Sequence, residues 1–125
     1  MVETKSLEKK ETEALFREKD IPYKEDICEA IVLKSGEEVL GSCLFSVENG
    51  KITISYLEPK DDISLLDGVL RSALFIAANR GIMEADYSEK VSGELIKRLG
   101  FCGNEQKRTI DITNLFSSCQ NCRKG

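Results

Sequence analysis

The stretch DDISLLDGVLRSAL, residues 61 to 74, follows a strand-like run and opens a helix-like one. Such a corner can hold a phosphate, because the first amides of a helix lack intrahelical partners and lie at the positive end of its dipole. Asp61, Asp62 and Asp67 put negative charge where the phosphate would approach, and acidic residues in a first turn are favoured by the same dipole. A well-capped core helix accounts for the same residues. Arg71, about one turn beyond Gly68, is the cation at hand. A second chemical group is the pair Cys119 and Cys122 in SSCQNCRKG, where Arg123 and Lys124 favour the thiolate and so redox or metal reactivity. The chain has no histidine, so a zinc site there would need further thiolates or carboxylates. Acid–base work falls to Glu, Asp, Cys, Tyr and Lys.

A chain of 125 residues is the size of one domain, expected over 1–116 with a cysteine-containing tail at 117–125. At 41% hydrophobic and 32% charged it reads as a globular chain, with no apolar run of the roughly 20 residues that span a bilayer. No secretory signal is visible in MVETKSLEKK, so the expected compartment is the cytoplasm. A net charge of −4, with lysines interleaved among glutamates, argues against a nucleic-acid surface. Five cysteines without framework spacing point to reduced thiols, with Cys28, Cys43 and Cys102 read as strand or core residues.

Residues 6–19 have helix propensity, with Ser6 as the expected N-cap and a thin apolar stripe of Leu7, Ala14, Leu15 and Phe16. Pro22 breaks that helix. Strands are expected over 27–34 and 38–48, the second alternating through Val39, Gly41, Cys43, Phe45 and Val47. Asn49-Gly50 then signals a two-residue hairpin turn, which predicts Glu48 opposite Lys51, Val47 opposite Ile52, Phe45 opposite Ile54 and Cys43 opposite Tyr56. Pro59 ends the third strand. Leu66, Val69, Leu70, Ala73, Leu74 and Ala77 form one face of a helix from about Ile63 to Arg80, stopped by Gly81. A short strand at 82–87, a helix at 90–100 with Leu95, Ile96 and Leu99 inward, and a last strand at 108–116 complete the order α, β, β, β, α, β, α, β. The fold class is α/β (α+β), a mixed and mainly antiparallel sheet with helices on its faces.

That order, with Arg80-Gly81 closing one helix and Leu99-Gly100-Phe101 the next, resembles the GNAT (Gcn5-related N-acetyltransferase) superfamily over roughly residues 38–101. The resemblance implies transfer of an acetyl or other acyl group from acyl-CoA to a small-molecule or peptide amine. It also implies a homodimer as the partner state. Tyr56 and Leu57, on the third strand, would offer backbone groups to the pantetheine arm. The family's pyrophosphate loop, Q/R-x-x-G-x-G/A, falls at Ile63, Leu66 and Gly68, where only Gly68 matches, so cofactor contacts are expected from Asp67, Gly68, Val69 and Arg71. Glu58 is the candidate base that takes a proton from the acceptor ammonium. The tyrosine that many members place in the penultimate helix is Ile96 here, the asparagine near that helix's start falls near Glu89, and Tyr87 becomes the candidate acid. The missing motifs suggest the alternative of a GNAT-like ligand-binding or protein-interaction module without catalysis.

Overall fold

The structure, a computed structural model, describes residues 2–101, 103, 104 and 106–112. Its centre is the hairpin of β3 (Glu38–Glu48) and β4 (Lys51–Glu58), joined by Asn49 and Gly50 at φ 55° and 74°. Both turn residues are left-handed, which is what a turn matching the twist of the two strands requires. On one side β3 pairs with β2 (Cys28–Ser35) and β2 with β1 (Val2–Ser6), all antiparallel. On the other side β4 pairs with β5 (Glu84–Tyr87) in parallel, and β7 (Thr109–Asp111) and β6 (Gly103–Asn104) follow. The result is one seven-stranded mixed sheet in the order β1-β2-β3-β4-β5-β7-β6.

Helices cover both faces. The helix α2 (Ile63–Asn79) buries Leu66, Val69, Leu70, Ala73, Leu74 and Ala77 completely against Ile31, Leu33, Cys43, Phe45, Ile52 and Ile54, as the three-and-four spacing predicts. The shorter helix α3 (Gly93–Arg98) adds Ile96 to that core, with Leu95 and Leu99 partly buried beside it. Its start is set by Ser92, whose hydroxyl accepts from the Leu95 N–H at 3.2 Å, so residues 90–92 expected in the helix lie outside it. On the opposite face α1 (Lys9–Glu18) inserts Phe16 against Ala30 and Leu44. The middle of β3 is therefore enclosed on both faces, not half-buried as its alternation suggests.

The N-terminal region departs from expectation. Ser6 closes a strand, and α1 starts two residues beyond Leu7 with Glu8 as N-cap, its N–H donating to Glu11 Oε1 at 3.4 Å. Every residue of β1 is exposed, so the strand carries no apolar alternation, and only its pairing with β2 defines it. The two-residue β6 likewise gives no pattern to read, and the short strand expected from 82 begins at Glu84. The last strand begins at Thr109, and the part expected beyond 112 lies outside the described residues, as do Cys102, Cys119 and Cys122. No helix among the described residues is long and apolar enough to cross a membrane.

Candidate functional site

One extra residue in β4 organises the site. Phe45 lies opposite Ile54 and Leu44 opposite Tyr56, leaving Ser55 without a partner in β3. This bulge corrects the expected Cys43–Tyr56 pairing: Cys43 faces Leu57 instead. A bulge changes which side chains point to which face. Before it, Ile52 and Ile54 enter the larger core; after it Leu57 does, and Tyr56 turns to the α1 face.

Glu58, two residues on from Tyr56, meets the end of α1. Its Oε2 accepts from Lys19 Nζ at 3.1 Å and its Oε1 from the buried Ser42 hydroxyl at 2.9 Å. Burial pulls the Lys19 ammonium toward losing its proton, but hydrogen bonds to Glu58 and Glu18 outweigh this and hold its pKa above the ordinary lysine value. Lys19 and Lys60 both place their ammonium groups over the Tyr56 ring, 5.4 and 5.6 Å from its centroid. Lys19, Ser42 and Lys60 are functional candidates that the sequence reading missed. Lys19 and Glu58 are 39 positions apart, and no local pattern joins them.

On its other edge β4 parts from β5. Ladder pairing ends at Ile54 and Tyr87; Ser88 then ties the strands once more, its N–H donating to Ile54 O at 2.9 Å and its hydroxyl to the unpaired Ser55's carbonyl at 3.0 Å. Beyond that clip a groove opens past the carboxyl ends of the two parallel strands. It contains a depression of about 490 Å³ between Ile21, Pro22, Ser55, Ser88, Glu89 and Lys90. A second, of about 170 Å³, lies between Leu57, Lys60, Glu89, Lys90, Val91, Ser92 and Leu95. Carboxyl ends of parallel strands, where the chain diverges, are a common ligand position in sheets covered by helices.

Arg108 fixes the far wall. In the left-handed region at φ 54°, it donates from Nε to the Tyr87 carbonyl at 3.1 Å and from Nη2 to the carbonyls of Ser88 and Val91, with its guanidinium 4.7 Å from the Tyr87 ring centroid. Tyr87 itself is 4% exposed within the larger core. Arg108 was also unread in the sequence, since its role depends on a backbone turn with no side-chain motif.

The residues expected at the phosphate corner divide. Asp62 caps α2, its carboxylate accepting from the Leu65 N–H at 3.2 Å. Asp67, Gly68, Val69 and Arg71 lie beyond the first turn, and none lines either depression. Asp67 binds Arg71 through Oδ1 at 3.1 Å and Oδ2 at 3.3 Å, and Arg71 stacks over Phe101 at 5.1 Å. Val69 is fully buried, and Gly68 faces β2, where an added Cβ would lie 3.4 Å from Leu33 Cδ1. The structure thus brings together Tyr56 and Glu58 on one face of β4, with Leu57 on the other, and leaves the α2 set apart from them. Of the described thiols, Cys28 is half-buried and Cys43 is enclosed, where burial pushes its pKa far up. Among the described residues no group of histidine, cysteine or carboxylate side chains could hold a metal ion.

Among the described residues the chain thus forms a mixed sheet flanked by helices, opening beyond the parallel pair β4 and β5. The fold is that of the GNAT acetyltransferases. Searches against known protein families and against curated proteins find no match. Among solved structures, the ribosomal-protein-S18-alanine N-acetyltransferase from Escherichia coli superposes with a TM-score of 0.60 at 14% identity, covering 88% of this chain and 89% of that one. A GNAT-family protein from Desulfovibrio desulfuricans gives 0.60 at 10% identity over 83% and 87%. The PaiA N-acetyltransferase from Thermoplasma acidophilum, solved with coenzyme A, gives 0.59 at 13% identity over 88% and 96%.

Proposed function

We propose that this chain is an acyl-CoA-dependent N-acyltransferase whose acyl donor lies in the groove between the ends of β4 and β5. The observation that carries the reading is the departure of β4 from β5 after the Ser88 clip, beside the Ser55 bulge, in a fold also seen in a protein solved with coenzyme A. Leu57 and the backbone of Tyr56 flank the pantetheine arm. Lys60 and Lys90 serve the phosphates, and Asp67, Gly68, Val69 and Arg71 pack α2 in place.

The acceptor ammonium replaces Lys19 at Glu58 Oε2, and Glu58 takes its proton. The amine nitrogen then attacks the thioester carbonyl: a C–N bond forms, the C–S bond breaks, and the coenzyme A thiolate leaves. The proton for that thiolate is assigned to Tyr87, the phenol at the end of β5; the acylated nitrogen sheds its own proton to solvent as the amide forms, and solvent returns Glu58 to its carboxylate and Tyr87 to its phenol.

Calorimetric titration of the reduced protein with acetyl-CoA, and separately with coenzyme A, tests the donor site. Micromolar binding that falls at least tenfold in Lys60→Ala/Lys90→Ala is expected; no binding of either ligand at millimolar concentration sinks the reading. With an acceptor in hand, Glu58→Gln should lower kcat by roughly 10²-fold or more, and an unchanged rate in Tyr87→Phe removes that residue as the acid. A second reading, a GNAT-shaped binding module without catalysis, draws support from Glu58, whose two oxygens are already engaged by Lys19 and Ser42.

A further inference from the structure

The side chain of Lys19 already stands where the proposed reaction needs its acceptor. Lys19 caps the C-terminal end of α1, its N–H donating to Leu15 O at 3.1 Å, and two residues on the Ile21 N–H donates to Phe16 O at 2.9 Å, so the backbone on both sides of the loop is tied to the helix. From there the stem runs over β4. Its Nζ donates to Glu58 Oε2 at 3.1 Å, pairs with Glu18 Oε2 at 3.2 Å and lies 5.4 Å from the centroid of the Tyr56 ring. The side chain is 19% exposed, against 75% and 45% for Lys9 and Lys51, whose ammonium groups pair with Glu25 and Asp86. The residues after Lys19 also form the groove: Ile21 and Pro22 wall the larger depression together with Ser55, the residue before Tyr56. One short segment thus supplies an amine at the base and a wall of the donor groove.

We infer that Lys19 is a self-acylation site: where no outside acceptor displaces it, its amine takes the acyl group of a bound acyl-CoA, once per chain. Self-acylation rests on the proposed donor groove and on Glu58 as base. The Lys19 ammonium passes one proton to Glu58 Oε2, and its nitrogen attacks the thioester carbonyl. A C–N bond forms and the C–S bond breaks. The coenzyme A thiolate leaves and is protonated, the acylated nitrogen loses a second proton to solvent, and Glu58 gives the first one up to solvent in turn. The base selects this amine among the lysines of the groove: Lys60 and Lys90 line the smaller depression, but Lys19 and Ser42 are the groups that engage the Glu58 oxygens. The product is a neutral amide, without the charge that binds Lys19 to Glu58, Glu18 and the Tyr56 ring. Glu58 then keeps its hydrogen bond from Ser42 and has Oε2 open to an outside ammonium.

Incubating the reduced full-length chain with acetyl-CoA and following its intact mass should show a gain of one acetyl group per chain, which peptide mapping places on Lys19. Lys60 and Lys90, beside the groove but away from the base, and the exposed Lys10 and Lys24 report the background reaction. Lys19 should react about tenfold or more faster than any of these in the folded protein, and no faster in urea. Lys19→Arg keeps a cation at Glu58 without a nucleophilic amine and should lose the single gain, while Glu58→Gln should slow it by about tenfold or more. Dilution of the protein over a roughly hundredfold range should leave the first-order rate constant unchanged, as an intramolecular step requires. Far-UV circular dichroism checks that each variant folds. Lys19 labelled no faster than the comparison lysines, a rate indifferent to Glu58→Gln, or one proportional to protein concentration overturns the inference. Calorimetry with coenzyme A, which has no acyl group to transfer, separates the two readings: binding with Lys19 unlabelled by acetyl-CoA sinks self-acylation alone, and absence of binding sinks the donor groove with it.

Discussion

Glu58 and Lys19 show how one contact ties a candidate catalytic group to stability. Lys19 joins the end of α1 to the end of β4, and its pKa is raised in the folded protein because two carboxylates more than offset its burial. A lysine whose folded pKa exceeds its unfolded value stabilises fully below the unfolded value and loses that contribution as pH rises through the folded one. Urea denaturation midpoints should therefore stay flat through neutral pH with respect to this residue and fall above about pH 10.5, the ordinary lysine value. In Lys19→Met the alkaline fall should be shallower than in the unaltered protein. Equal slopes above pH 10 would show that the ion pair contributes nothing to folding.

At the level of elements, two glycines have opposite physical roles. Gly41 in β3 packs under the turn after β4, where an added Cβ would lie 2.9 Å from the Glu58 carbonyl oxygen and 3.2 Å from Pro59 Cδ. Backbone cannot swing aside as a side-chain tip can, so Gly41→Ala should destabilise by about 1–3 kcal/mol. Gly68 sits inside α2, and an added Cβ there makes an ordinary contact with the mobile end of Leu33. Relief of the helix glycine penalty should let Gly68→Ala stabilise by roughly 0.5–1 kcal/mol. The same variant separates two uses of this residue. If coenzyme A binds and Gly68→Ala leaves the affinity within twofold, the phosphates do not need a bare backbone at 68; a tenfold loss would return the pyrophosphate to this turn. Denaturant titration and calorimetry on the two variants give both answers.

Over the whole molecule, legibility followed burial and local order. The α2 face, the Asn49-Gly50 turn and the bounds of β3 and β4 were readable because each is written in neighbouring residues: three-and-four spacing, a dipeptide that accepts positive φ, alternation. The edge strand β1 was not, since an exposed strand need not alternate, and nor was the bulge at Ser55, which leaves the apolar character of TISYLE unaltered. Glu58 and Tyr56 could be singled out by their place at a strand end. Their neighbours Lys19, Lys60, Ser42 and Arg108 could not, because three-dimensional closure of the sheet brings them there. The Arg80-Gly81 motif had a reason that only the fold displays: Arg80 holds both carboxylate oxygens of Glu29, at 2.6 and 2.7 Å, binding the end of α2 to β2 while Gly81 turns the chain at φ 79°.

The unpaired Ser55 has a bearing on how this chain is compared with others. Any hairpin lacking the extra residue runs in phase with β4 as far as Ile54 and one position out of phase afterwards. An ungapped alignment would then set Tyr56 against an inward apolar position and Leu57 against an outward one, scoring two mismatches where the folds agree. A single gap placed at 55 restores the parity, and with it the correspondence of Glu58 to whatever carboxylate the other strand carries at its end.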